Sequence, residues 1–294
     1  MKLRSLFFFT AVLAGLGCGQ THMVETTGRI RSLMIDRNYD AALATLREDK
    51  KHSFKEQDRV VFWMQEGMLL HLTGQYKASV DVLNTAERRS KELFTKSVSK
   101  QIKAAFTSDA AVDYPGEDYE KVLLNVVKAL DFLAVNDREG ALVEARKINE
   151  KLSYFNTMYN HKNIYSQDAF ALWLSGLLHE MGTEYDDARI DYVKSMEVYQ
   201  SDFAGNYGMR PPSWLAEDIV RAAQLSGDEE TANKYRQMGG NGNTLEELKN
   251  NGEIVLVFLN GEGPSKSDFF VECVFANAAN FWCNAEPGGE FLKR

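Results

Sequence analysis

The sequence has few of the residues that build disulfide frameworks, metal sites and rigid loops. It contains 3 cysteines, 5 histidines and 5 prolines in 294 residues. No Cys-x-x-Cys pair and no Cys/His spacing typical of zinc ligands occurs, which excludes the common structural zinc sites. Because proline interrupts the hydrogen bonding of a helix interior, its scarcity allows long helices. We therefore expect a chain that can form long helices and binds no metal.

Catalytic motifs and an excess of positive charge are missing as well. The sequence contains no Gly-x-Ser-x-Gly, His-Glu-x-x-His or phosphate-binding P-loop motif. The formal net charge is -8. An acidic surface does not favour nucleic acid, or docking on anionic lipid headgroups through charge. We predict that the chain is not an enzyme, uses no cofactor and binds no nucleic acid.

The first residues indicate export. Lys2 and Arg4 precede an uncharged apolar run over residues 6–16, and Gly17 follows that run. A basic start, an apolar run of about 7–15 residues and a small residue before the cut are typical of a secretory signal. The run is shorter than the ~20 residues that span a bilayer. We predict a signal peptide over residues 1–17.

The stretch Leu-Ala-Gly-Leu-Gly-Cys at residues 13–18 resembles a bacterial lipobox, in which the cysteine after the cut receives lipid. The resemblance implies lipidation at Cys18 and a tether over residues 18–22. Because Gly19 rather than aspartate follows the cysteine, it also implies the periplasmic face of the outer membrane. Cleavage to a soluble periplasmic protein and an uncleaved anchor are the alternatives.

A repeated pattern of small and large residues predicts pairs of helices. In the first clear copy, Gly67 is followed nine positions later by Tyr76, and the second copy repeats this interval from Gly176 to Tyr185. Such offsets place residues on the facing sides of two antiparallel helices, where the small residue lets the helices approach closely. The pattern is typical of tetratricopeptide hairpins.

Weaker copies of the pattern extend it along the chain, in residues 23–46, 129–148 and 214–238. Their spacing is uneven, and we predict the insertions 104–121 and 200–214 to be surface loops. The fold class that follows is mainly α, a degenerate tetratricopeptide-like array of helical hairpins (an α-solenoid) over residues 23–238. A generic helical bundle with these residues at chance intervals is the alternative.

The composition changes after residue 238. The sequence of residues 239–250 predicts a glycine-rich linker followed by a short helix. The run Glu-Ile-Val-Leu-Val-Phe-Leu-Asn at 253–260 predicts a buried strand, with which residues 269–275 can pair. We therefore predict a small C-terminal β element and tail over residues 251–294.

Two cysteines lie in this C-terminal region, Cys273 and Cys283. In an oxidising compartment they can form a disulfide. Two free thiols are an equally open alternative. Whether the cysteines form a disulfide depends on the geometry of the fold, which their spacing in the sequence does not determine.

Several segments together resemble an uncharacterised family of bacterial tetratricopeptide-like lipoproteins. They are residues 113–133, 137–147 and 251–266. The family is often encoded beside a lipoprotein similar to the curli secretion channel, and its C-terminal β region is longer. The resemblance implies an exported helical scaffold with a shortened C-terminal domain, and a channel-like lipoprotein as one partner. It implies no particular activity.

We interpret the chain as a membrane-anchored scaffold or adaptor that binds other envelope proteins through a groove lined by the first helix of each pair. The candidate groove residues are Gln65, Leu69, Lys128, Phe132, Trp173, Leu177 and Glu180. A second candidate site is an aromatic segment, whose rings suit peptide or glycan contact, at Tyr154, Phe155, Tyr159 and Tyr165. The alternative function is binding of peptidoglycan or another glycan in the periplasm.

Overall fold

The computed structural model of the chain describes residues 18–100, 113–158, 167–240, 253–259, 271–277 and 280–285. The chain divides into two compact units, Met1–Glu247 and Leu248–Arg294. Each unit is described by itself.

The first unit is a succession of helical hairpins, each with two helices joined by a short turn. The pairs are α1 (Cys18–Ile35) with α2 (Tyr39–Glu48), α4 (Arg59–Leu72) with α5 (Tyr76–Lys100), α6 (Asp118–Ala134) with α7 (Arg138–Met158), α8 (Ala169–Met181) with α9 (Tyr185–Val198), and α11 (Ser213–Ser226) with α12 (Glu229–Gln237). Short elements complete it: α3 (Lys50–Ser53), a 3-10 turn (Glu56–Asp58), a π-helical turn (Tyr199–Phe203) and α10 (Ala204–Tyr207). The predicted tetratricopeptide-like, mainly α fold is confirmed.

The turn inside each described pair has the same backbone geometry. One residue per turn adopts a positive φ of 57 to 81°, at Arg37, Gly74, Asn136, Thr183 and Gly227. The N–H of the following residue then donates to the carbonyl five residues back over 2.8–2.9 Å, from Asn38 to Leu33, Gln75 to Leu70, Asp137 to Phe132, Glu184 to His179 and Asp228 to Ala223. This is the Schellman arrangement, which satisfies carbonyls that the helix end leaves free. The weaker copies therefore share the register of the clear ones.

Small residues allow the two helices of each pair to pack closely. Five positions after each positive-φ residue stands a fully buried small residue, at Ala42, Ser79, Ala141, Ala188 and Ala232. In α4, a Cβ on Gly67 would lie 2.4 Å from the side chain of Leu83, and in α8 a Cβ on Gly176 would lie 2.6 Å from the ring of Tyr192. The prediction that glycine permits close approach is confirmed at both positions.

The apolar core follows the array from hairpin to hairpin. One cluster joins α1, α2 and α4, a second joins α5 to α6, and the largest runs from α6 to α12. Neighbouring hairpins also contact each other, through α5 with α6, α7 with α8, and α9 with α11. Each repeat therefore buries its apolar surface against its neighbours, as in other stacked-repeat proteins.

The two predicted insertions are more helical than expected. The π-helical turn and α10 span residues 199–207, so they make residues 200–207 of the predicted loop 200–214 helical, and they continue the chain directly from α9. In the predicted loop 104–121, residues 113–117 are irregular and α6 begins at Asp118. The Glu117 and Glu120 side chains explain this early start, because they form a capping box at the helix N-terminus. The rest of that insertion lies outside the described residues.

The second unit contains a two-stranded antiparallel hairpin of β1 (Val271–Asn277) and β2 (Asn280–Ala285). The predicted strand at 253–260 is wrong over residues 253–259, which have no regular secondary structure. Of the predicted pairing segment 269–275, the described residues 271–275 belong to β1, which pairs with β2 instead. Ile254, Leu256 and Phe258 are 96%, 87% and 72% exposed. An apolar run forms a strand only where a neighbouring strand accepts its hydrogen bonds. The predicted short helix at 244–250 lies outside the described residues.

Candidate functional site

A cavity of about 500 Å³ lies between α7, the start of α8, and α9 with its π-helical turn. Its volume falls within the roughly 300–1,000 Å³ of small-ligand sites. The described part of the lining is mostly polar and includes Asn149, Leu152, Ser153, Asn156, Thr157, Gln167, Leu172, Lys194, Glu197, Val198, Ser201 and Asp202. We call it the α7–α9 cavity.

Helical periodicity brings the lining residues together. On α7, Asn149, Ser153 and Asn156 follow each other at spacings of four and three residues, which places them on one face. The continuation of α9 through the π-helical turn adds Ser201 and Asp202 to the opposite wall. π-helical turns are rare and occur often at functional sites.

Two side-chain oxygens at this cavity have no hydrogen-bond partner although they are buried. Asn149 Nδ2 donates to Ser175 Oγ over 2.9 Å and to Asp191 Oδ2 over 2.6 Å, which fixes the orientation of the amide. Its Oδ1 atom, and Oδ1 of Asn156, are left without a partner. A buried acceptor without a donor costs about 1–3 kcal/mol.

A buried carboxylate holds the inner wall of the cavity in place. Asp191 accepts hydrogen bonds from Ser175 Oγ over 2.7 Å and from His179 Nδ1 over 3.0 Å, besides the one from Asn149. Because carboxylate oxygens only accept, His179 Nδ1 is the donor in its hydrogen bond to Asp191. The network connects α7, α8 and α9, so Asn149 has little freedom to turn away.

Three of the seven predicted groove residues are buried between helices. Leu69 packs in the core of the first hairpins, and Trp173 donates from Nε1 to Asp218 Oδ2 over 3.0 Å inside the largest cluster. Lys128 is fully buried. These side chains hold hairpins together and present no surface to a partner, so the groove prediction does not hold for them. The sequence pattern identified their helix but not their face, because burial depends on the neighbouring hairpin.

Lys128 belongs to a buried cluster of charges between α5, α6 and α7. Its Nζ atom lies 2.7 Å from Glu87 Oε2 and 3.0 Å from Glu144 Oε2, while Lys151 Nζ lies 2.7 Å from Glu87 Oε1. Burial alone would raise the pKa of Glu87, but the ammonium groups of Lys151 and Lys128 outweigh it and hold that pKa well below its usual value of 4.5. The cluster joins the two hairpins by charge, in addition to the apolar contact between α5 and α6.

Glu180, another predicted groove residue, binds side chains of neighbouring helices in the array. Arg221 donates from Nε to Glu180 Oε1 over 2.5 Å, and Tyr192 Oη donates to Glu180 Oε2 over 2.8 Å. Burial raises the pKa of Tyr192 well above its usual value, and the negative charge of Glu180 raises it further. Glu180 therefore joins α8 to α9 and α11.

The last three predicted groove residues are partly buried. Phe132 and Leu177 pack against the largest cluster, and Phe132 lies where a Cβ on Gly140 would stand. Gln65, on α4, has a buried Oε1 atom without a hydrogen-bond partner. The structure does not bring the seven predicted residues together as one surface.

The predicted aromatic segment divides between core and surface. Phe155 is buried in the largest cluster, while Tyr154 is 48% exposed and its ring centroid lies 6.0 Å from that of Phe94. Tyr159 and Tyr165 lie outside the described residues. Tyr154 and Phe155 stand between Ser153 and Asn156, so the segment adjoins the α7–α9 cavity.

The part of the chain that the structure describes offers no group of three or more His, Cys, Asp or Glu side chains able to hold a metal ion. Within the same residues, no helix has both the length and the apolar character needed to cross a membrane.

Comparisons with known proteins support the fold. No protein-family model matches the chain, and neither does any curated protein. Among solved structures, the apo form of RapI matches 79% of this chain and 56% of its own at 12% identity, with a TM-score of 0.53. BtubC (BKLC) from P. vanneervenii matches 82% of this chain and 86% of its own at 13% identity, with a TM-score of 0.48. MamA from Desulfovibrio magneticus RS-1, residues 41 to the end, matches 79% of this chain and 98% of its own at 12% identity, with a TM-score of 0.44. At 12% identity, the likeness to RapI shows a helical-repeat fold alone.

Sequence reasoning did not find the α7–α9 cavity. One signal was available, because polar residues recur on one face of α7, at Asn149, Ser153 and Asn156, beside the buried face that begins with Ile148. Polar positions on a helix are usually solvent-exposed. Only the packing of α9 against α7 and α8 shows that this polar face encloses a cavity.

Proposed function

We propose that the chain is a lipid-anchored adaptor of the bacterial envelope that binds other proteins through its hairpin array. The observation that carries the proposal is the array itself, in which described hairpins repeat one turn geometry and stack through a shared core. Stacked repeats form extended surfaces that bind peptides or partner helices. The α7–α9 cavity is a polar recess within this array.

The anchor part of the proposal rests on the sequence. The lipobox-like stretch ends at Cys18, the first residue of α1, so a lipid there would hold the array beside the bilayer. Gly19 in place of aspartate favours the periplasmic face of the outer membrane. A lipoprotein similar to the curli secretion channel is one candidate partner, because of the family resemblance.

The test is a tagged pull-down from detergent-solubilised membranes, with the native chain beside Cys18→Ser. We expect an envelope protein to co-purify with the native chain in fixed proportion, and to be reduced or lost with the variant because the variant leaves the membrane. Circular dichroism of both proteins shows that the array is folded in each. An empty pull-down with both proteins would contradict the adaptor proposal. Equal membrane association of both would contradict the anchor.

Binding of peptidoglycan or another glycan is the second candidate, favoured by the polar hydroxyl and amide lining of the cavity. It ranks lower because none of the described lining residues is aromatic, and ring faces commonly cover the apolar face of a sugar. Sedimentation with purified sacculi separates the two functions. Co-sedimentation of the native chain without a protein partner would favour the glycan.

A further inference from the structure

We propose that an exposed apolar patch at the end of α10 and the start of α11 binds an amphipathic helix of a partner protein. The patch consists of Tyr207, Met209 and Trp214, and we call it the aromatic patch. This inference rests on the proposed function, since it names the surface and the kind of protein segment through which the adaptor binds.

The three side chains of the aromatic patch are large, apolar and open to solvent. Tyr207, Met209 and Trp214 are 52%, 48% and 43% exposed. Large side chains of this kind have areas of about 150–250 Å², so together the three expose roughly 300 Å². An exposed apolar patch of this size on a single chain is often a binding surface, and aromatic residues and methionine are enriched where proteins bind each other.

The backbone beneath the aromatic patch is fixed by a helix cap and by prolines. Gly208, with φ +64°, ends α10, and Met209 N–H then donates to Phe203 O over 3.1 Å. Glycine adopts this backbone conformation without strain. Two prolines at residues 211–212 precede α11 directly, and their rings fix φ. A surface that is already ordered loses little entropy when it binds a partner.

The aromatic patch is the exposed margin of the largest apolar cluster. Along the helix that runs from α9 into α10, Tyr199, Phe203 and Tyr207 follow at intervals of four residues, with neighbouring ring centroids 5.3 and 5.4 Å apart. Tyr199 and Phe203 pack against the largest cluster. The ring centroid of Trp214 lies 5.0 Å from that of Trp173, which belongs to the same cluster. The core that joins the hairpins therefore reaches the surface here, and a helix laid on the patch would continue the helix stacking of the array.

The form and the area of the aromatic patch favour a short helix as its occupant. Rings at positions i, i+4 and i+8 form a ridge of the kind that packs into the groove between side-chain rows of another helix. An amphipathic helix presents apolar anchors at i, i+3, i+4 and i+7, which span about 10 Å along its axis. The exposed area is well below the roughly 800 Å² per partner of a stable interface between two proteins. The patch alone is therefore too small to hold a second copy of this chain.

The experiment measures fluorescence anisotropy of labelled peptides against the mature chain, residues 18–294, with Cys18→Ser so that no lipid or detergent is present. One peptide of about 14 residues, four helical turns, is alanine-based and carries leucines along a single face. A second peptide has the same composition with its leucines scattered around the helix, and a third is the first with two central prolines. We expect the first peptide to bind about tenfold more tightly than either of the others.

Variants locate the binding on the aromatic patch. Tyr207→Ala and Met209→Ala should each weaken the first peptide about tenfold, because each removes an exposed apolar anchor. Met238→Ala is the matched control, since Met238 is 50% exposed and follows α12, and it should bind like the native side chain. Circular dichroism of each variant shows whether it is folded, and Met209→Ala changes no residue of a helix.

Three results would overturn this inference: equal binding of the first and second peptides, preference for the proline-containing peptide, or undiminished binding by both patch variants. A dimer of the chain in sedimentation velocity that Tyr207→Ala abolishes would assign the patch to a second copy instead. Failure of the adaptor function is distinguishable. If the pull-down partner is retained by Tyr207→Ala while the first peptide does not bind, the adaptor function stands and this inference fails. If the peptide binds as expected and no partner is ever captured, the adaptor function fails instead.

Discussion

At the scale of single residues, the hairpin turns contain a conformational strain that substitution can remove. Thr183 has φ +62°, where Gly74 and Gly227 occupy the equivalent positions of other turns. A side chain in this region costs roughly 1–2 kcal/mol, and a β-branched one is especially unfavourable.

We expect Thr183→Gly to raise the free energy of unfolding by about 0.5–1 kcal/mol, because relief of this strain exceeds the entropy that glycine adds to the unfolded chain. Urea unfolding measures the change. Thr85→Gly, inside α5, is the control and should lower stability, since its backbone is already helical. A loss of stability in both variants would mean that the turn is not strained.

The close contacts within two hairpins depend on Gly67 and Gly176, because a side chain at either position would overlap the facing helix. We expect Gly176→Ala to lower the free energy of unfolding by about 1–3 kcal/mol, because a methyl group there would overlap Tyr192. Alanine is otherwise the better helix former by about 1 kcal/mol. Gly28→Ala in α1 shows that gain alone, since nothing lies within 4 Å of a Cβ at that position. Thermal unfolding should move the two variants in opposite directions, and movement in the same direction would contradict the packing.

At the scale of elements, the contact between the α4–α5 and α6–α7 hairpins depends on buried charge. We expect Glu87→Gln to lower the free energy of unfolding by roughly 3 kcal/mol at neutral pH, because Lys128 and Lys151 would lose their shared carboxylate. Glu92→Gln, a half-exposed partner of Arg89, should change stability by less than about 0.5 kcal/mol.

The same contact should respond to acid. Since the pKa of Glu87 is lower in the folded state than its usual 4.5, the unfolded chain binds this proton first as pH falls. The stabilisation is therefore fully present above about pH 5.5 and decreases progressively below 4.5. Urea titrations should show the native chain and Glu87→Gln converging between about pH 7 and about pH 3. A constant difference between them would place the carboxylate outside the charge cluster.

The elements also show what the sequence could and could not predict. The helix pairs were predictable because their spacing of small residues is local, as from Gly67 to Tyr76. The turn residues Arg37 and Thr183 were not, since only glycine is an obvious candidate for a positive φ. The strand at 253–260 was predicted from apolar residues alone, whereas a strand depends on a partner that sequence does not reveal.

At the scale of the whole molecule, the candidate site was the least predictable feature. The groove residues were chosen by helix and position, yet Lys128 and Trp173 join neighbouring hairpins. Asn149 and Asn156 are unremarkable in sequence and become candidates only because α7, α8 and α9 enclose them. A helical array thus has its fold encoded repeat by repeat, while its binding surface arises between repeats.

The central claim is that this array binds another protein, and photo-crosslinking in living cells tests it most directly. A photoreactive amino acid replaces Ser153, at the α7–α9 cavity, or Asp36, in the exposed turn between α1 and α2. We predict that illumination attaches a protein of the cell envelope at position 153, identifiable by mass spectrometry, and attaches much less at position 36. Absence of any protein adduct at both positions, from a chain that is folded and membrane-associated, would contradict the claim.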